Sequence, residues 1–173
     1  MAIDAFLKLD HTTGLYVETA LVDSSAGAAS AGKGVALDAS GHVALNILPT
    51  GVGPELVNLV ASETLAAGDF VNIHDVAGTS KVRKADATNA TKPANGFVKS
   101  GAAAAANVDV YLDGLNDVQT GKVAGTRYFL SAATPGAATA TIPNASGNLC
   151  QFLGVATSAT GIAFRPSDGA VLA

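Results

Sequence analysis

The sequence predicts an all-β protein: a small β-barrel or sandwich domain, residues 61–173, preceded by an extended N-terminal arm with a β-hairpin, residues 1–60. Three observations point there. Short runs of β-branched and aromatic residues recur, bounded by Gly, Asn, Asp, Ser or Pro, with turn signals at roughly the 8–12-residue spacing of small barrels and sandwiches. No segment beyond Ser62 has a convincing helical period. Charged residues make up only 14% of the 173-residue chain, against roughly 25% in an ordinary globular protein, so Thr, Ser, Asn and Ala must cover much of the surface.

Residues 2–9, AIDAFLKLD without its last Asp, alternate, with Ile3, Ala5, Leu7 and Leu9 on one face at period two. Residues 10–14, DHTTG, break the run, and LYVETALVD, residues 15–23, follows as the second strand of a hairpin. Residues 24–34, SSAGAASAGKG, are low in complexity and read as a flexible linker. Asp38 to Gly41 is a turn signal, and Pro49, Gly51, Gly53 and Pro54 mark a second break. Residues 55–61, ELVNLVA, fit a short strand or a single helical turn, with the strand favoured.

From Ser62 the β-domain begins. A turn at Gly68-Asp69 leads to a strand over Phe70–Ile73, then a hairpin loop VAGTS and a return strand KVRKAD. Residues 88–95 are a polar loop with Pro93, and GFVKSG is a short strand. In VDVYLDG, Val108, Val110 and Leu112 fall on one face and Asp109, Tyr111 and Asp113 on the other. GTRYFLS is a strand, and TPGAATATIP holds a turn and a short strand. LCQFLGVA and TGIAFRP close the chain as a hairpin around Ser158-Ala159-Thr160.

Composition also bounds function. The chain is 49% hydrophobic, but much of that is Ala, aromatics are 5% and there is no Trp. Ala buries little area, so at about 25 cal/mol per Å² such a core stabilises weakly. Nineteen glycines add unfolded-state entropy. Burial against further copies or a larger lattice would compensate. Net charge is −4 and no basic stripe exists, so no nucleic-acid partner is expected. No run of eighteen or more apolar residues is present, so no membrane span is expected. MAIDAFLKLD lacks a basic stretch before an apolar one, so no secretory signal is expected.

The chemical motifs are weak. GAASAGKG, residues 27–34, approaches a phosphate-binding loop, but Gly34 stands where a hydroxyl is required and no helix follows. His11, His42 and His74 lie in separate segments; only His74 adjoins an acid, Asp75. No spaced Cys/His set suggests a metal. Asp109, Asp113 and Asp117 are spaced by four, unlike a calcium loop. Cys150 has no disulfide partner within the chain and reads as a small packed residue. The sequons at Asn89 and Asn144 read as chance matches in the absence of a secretory signal. No G-x-S-x-G elbow occurs. No catalytic, cofactor or metal residue is therefore assigned, and an enzyme is not expected.

Two stretches carry a family likeness. AGKGVALDASGHVALNILPTGVG, residues 31–53, resembles a phrase common in structural proteins of tailed bacteriophages. There His42-Val43 replaces the usual Lys/Arg-Leu and Asn46-Ile47 a Ser-Met or Ser-Leu pair. The succession AAGDFVNI, KADAT, GFVKSGAAAAANVDVYLDGLN, GTRYFLSAATPGAATATIP and QFLGVATSATGIAFRP is similar to small β-domains on phage heads and tail fibres. The likeness runs from about residue 15 to the end and is greatest to the capsid decoration, or cement, proteins. It implies a virion structural protein without catalytic residues, made in the bacterial cytoplasm. It would bind the major capsid protein on the outer surface of the head as a homotrimer, its N-terminal piece helping to trimerise it or clamping neighbouring capsomers. A head-fibre, tail-fibre or baseplate component is the alternative, but no shaft or repeat of the fibre kind is seen. A carbohydrate-binding module would normally show exposed Trp or Tyr, and this chain has no Trp and three Tyr.

Overall fold

The computed structural model describes residues 5–37, 41–44, 47–48 and 55–173. The chain divides into two compact units, Met1–Gly53 and Pro54–Ala173.

Unit 1 is a three-stranded sheet in the order β1 (Ala5–Leu9), β2 (Tyr16–Val22), β3 (Gly34–Val35). β1 and β2 pair antiparallel, Leu7 opposite Glu18 and Leu9 opposite Tyr16. The turn between them closes on Asp10, whose carbonyl accepts from Gly14 N and whose carboxylate accepts from Thr12 N at 2.8 Å. The stretch expected to be a bare linker has structure of its own. Gly27–Ser30 forms a 3₁₀ turn, and β3 pairs parallel with the end of β2. Gly34 permits this, because a Cβ there would lie 2.6 Å from Leu21 Cδ2 and 2.9 Å from Phe6 Cε1.

Unit 2 contains a closed barrel, in the order β4 (Leu56–Ala61), β6 (Thr79–Lys84), β5 (Phe70–Val76), β7 (Gly96–Val98), β8 (Asn107–Tyr111). β4 runs antiparallel to β8 and parallel to β6. Its pairing with β8 puts residues 56–60 in the barrel rather than in the arm, so this unit begins earlier than the sequence-based boundary. The two-residue loop between β5 and β6 has Ala77 at φ 52° and Gly78 at φ 82°, the paired positive φ that suits a tight hairpin.

A second sheet has the order β11 (Ala138–Thr139), β10 (Arg127–Leu130), β13 (Phe152–Ser158), β14 (Gly161–Phe164), β9 (Gly114–Asn116). A short ribbon joins β12 (Leu149–Cys150) to β15 (Ala170–Val171).

Period two sorts the core into two clusters. Val71, Val82, Val98, Val108 and Val110 fill the barrel with Ala61 and Leu65. A five-stranded barrel is narrow, and compact branched side chains suit its interior. The alternate positions on the same strands, Phe70, Phe97 and Tyr111, point outward onto Leu130, Leu153, Ile162 and Phe164 of the second sheet. The Phe164 ring centroid lies 5.5 Å from Phe70 and 5.6 Å from Phe97, and Phe97 stacks on Tyr111 at 5.3 Å. Such pairs add about 0.5–1.5 kcal/mol each beyond their buried area.

Residues 88–95, expected to be a polar loop, bury Ala94, and Ala85 and Ala87 just before them are buried as well. Buried amides hold this loop. Gln151 Oε1 accepts from Ala94 N at 2.7 Å, and Gln151 Nε2 donates to Ala94 O at 3.0 Å and Ser167 O at 3.2 Å. Asn72 Nδ2 donates to Pro93 O and to Asn95 Oδ1, and Asn72 Oδ1 accepts from Arg83 Nε, each at 2.9 Å.

Three stability changes are expected in urea unfolding. Gln151→Ala strands two buried backbone groups of Ala94 and lowers stability by about 2–4 kcal/mol. Gly96→Ala drives a Cβ to 2.6 Å from Tyr111 O and lowers it as well, by about 1–3 kcal/mol. Ala77→Asn relieves a left-handed residue and raises it by about 0.5–1 kcal/mol.

Candidate functional site

The residues singled out by sequence do not converge. Gly27–Gly34 follows β2 through the 3₁₀ turn and ends in β3, not in a helix N-terminus. Asp109 Oδ1 accepts from Asn58 Nδ2 at 2.7 Å, whereas Asp117 pairs with Lys99 at 3.0 Å. Asn89 is engaged by its own sequon, its Oδ1 accepting from Thr91 N and Thr91 Oγ1. Cys150 is half-buried in β12, opposite Ala170. Among the described residues no cluster of three or more His, Cys, Asp or Glu is arranged to hold a metal ion. None of their helices is long and apolar enough to cross a membrane.

One pairing escaped the sequence. Ser62 Oγ and His74 Nε2 are 2.9 Å apart, joining the residue after β4 to the middle of β5. A hydroxyl hydrogen-bonded to imidazole is half of a nucleophile-activating triad. Here the charges of Arg83, Asp75 and Lys81 all act on the imidazole, whose other hydrogen bond is to the Asp75 backbone rather than to a carboxylate. Burial, and then the Arg83 charge, hold His74 below the ordinary histidine value of 6.5. The pair therefore serves as a tie between the end of β4 and β5 across β6.

An open groove of about 440 Å³ lies between Pro93, Asn95, Gln151 and Pro166–Gly169. The Gln151 amide that lines it is already committed to Ala94 and Ser167.

The feature with the clearest functional consequence is the β1–β2–β3 sheet. None of its described residues is buried. Cross-strand partners share a face, so Ala5, Leu7, Leu9, Tyr16, Glu18, Ala20, Val22 and Val35 lie together. Leu7 is 69% exposed and Tyr16 70%. Seven of these eight side chains are apolar. Apolar sheet faces are normally covered by a second layer, and an open one marks an interaction site.

Comparison with protein-family models and with curated proteins finds no match.

The lowered His74 pKa fixes a pH dependence. The unfolded chain takes up a proton near pH 6.5, and the folded chain takes it up only at lower pH. Between those two values the unfolded state binds more protons, so stability falls as the pH drops below 6.5. NMR titration should place the His74 midpoint below 6.5, and His74→Gln should flatten this part of the stability–pH curve.

Proposed function

We propose that this protein is a virion structural protein of a tailed bacteriophage. In this reading it is a capsid decoration protein that binds the outer surface of the head as a homotrimer and stabilises the shell. Its partners are the major capsid protein and further copies of itself. The observation that carries the reading is the uncovered apolar face of the unit 1 sheet, which has no described buried residue of its own. A three-stranded sheet gains independent stability by packing its hydrophobic face, so this one calls for an external surface. The sparse charge supports the same conclusion, because a chain with 14% charged residues suits a crowded lattice better than open solution. The likeness of residues 31–53 to phage structural proteins names the lattice.

Phage heads lacking the protein provide the test. Added protein should sediment with the shells, spread over the head in many copies, and raise the temperature at which the shells break. Leu7→Asp with Tyr16→Asp should weaken this binding at least about 10-fold, the scale of losing interface anchors. Deleting residues 1–55 should abolish it. Undiminished binding after the deletion would remove the arm from the account, and failure of the intact protein to bind would remove the decoration role. A few copies confined to the tail would favour a fibre or baseplate component.

A further inference from the structure

The second sheet of unit 2 also has a partly open outer face, and the ladder residues along its middle are mostly apolar. The register places Arg127, Val155, Ala163 and Leu115 side by side across β10, β13, β14 and β9. Phe129, which is buried, and Phe152, which is half-buried, pair on the same face, edge to face at 5.9 Å. A solvated sheet face normally alternates to polar residues. Here Leu115 remains 44% exposed and Val155 37%. Arg127 is the one charged residue among these ladder positions. Its guanidinium carbon sits 4.7 Å from the Phe152 ring centroid and 5.9 Å from that of Phe129. No described carboxylate pairs with it. A guanidinium held against an aromatic ring without a described carboxylate partner is available to an incoming carboxylate.

The unit 1 face carries the complementary pattern. Glu18 is the one charged residue among its ladder positions, opposite Leu7 and between Tyr16 and Ala20 on β2. No described cation pairs with it.

We infer that the Glu18 face of one copy packs on the Arg127 face of a second copy, with Glu18 as the carboxylate received by Arg127. Packing either face on its own kind brings like charges into a dry interface without a counter-ion, which is costly. Packing unlike faces pairs them. Apolar side chains from both sheets then fill the layer between, as in any sheet-on-sheet contact. Each copy carries both faces, so the contact is head-to-tail and closes into a ring or runs on as an open chain. The inference rests on reading unit 1 as an inter-subunit element and assigns that element its seat; the face is then taken up by the next copy, so Leu7 and Tyr16 act on shell binding through the assembly rather than by touching the shell.

Sedimentation velocity of the full-length protein, without shells, over a concentration series tests it. The wild type should self-associate. Glu18→Arg and Arg127→Glu should each weaken association at least about 10-fold, as for other close charge pairs at interfaces. An equimolar mixture of the two variants should recover part of it, because every contact between unlike chains pairs opposite charges, while a three-membered ring keeps one contact between like chains. Leu115→Asp, which leaves Arg127 on its rings, should also weaken association; unfolding curves of every variant would confirm that unit 2 stays folded. A wild type that remains monomeric, reversals without effect, or a mixture no better than its components would each overturn the proposal. Shell binding is read separately. If shells bind but free association fails, this contact alone falls; if association holds but shells are ignored, the decoration role alone falls.

Discussion

A β-sheet with one hydrophobic face needs a second layer, and this chain meets that need in two different ways. In unit 2 the second layer is internal. Phe70 and Phe97 project from the outside of the barrel onto Phe164, and the barrel and second sheet share one core. In unit 1 no such layer is found among the described residues, and leucine, tyrosine and valine remain open on one face. The first arrangement closes a core within the unit, and the second leaves hydrophobic free energy to be gained on contact.

The unit 2 core is economical. Small aliphatic side chains fill the barrel, and the few aromatic rings are concentrated where barrel and second sheet meet. Amide side chains then take the place of bulk. Gln151 answers both backbone groups of Ala94 as a neighbouring strand would, and Asn72 braces the same loop from the other side. Such satisfied polar contacts specify one loop conformation, where Ala-rich packing alone would leave several of similar energy.

Much of this was legible in advance. The alternation of Val108, Val110 and Leu112 marks a strand with one inward face, and those residues do line or border the barrel core. The Ala5, Leu7, Leu9 alternation likewise shows an apolar face. What lies against it depends on distant chain, so its openness appears only in three dimensions. Phe70-Val71 and Phe97-Val98 are buried on both sides, and no periodicity says which side is the barrel. Gln151 lies 57 residues from Ala94, and in sequence it is simply a polar residue within a strand run. Ser62 and His74, although 12 residues apart, meet only because β4 and β5 both flank β6. The parallel pairing of β3 sets Gly34 against the Phe6 and Leu21 side chains, a steric fact without a pattern signal.

The central claim is that the unit 1 sheet is completed by contact with another molecule, whereas the core of unit 2 is closed within the chain. Amide hydrogen exchange, compared between dilute free protein and shell-bound protein, tests this most directly. The account predicts fast exchange over Ala5–Leu9 and Tyr16–Val22 in the dilute state and strong protection on binding, with β5 and β13 slow throughout. Protection of the unit 1 amides equal to that of β5 in dilute free protein, unchanged by shells, would contradict it.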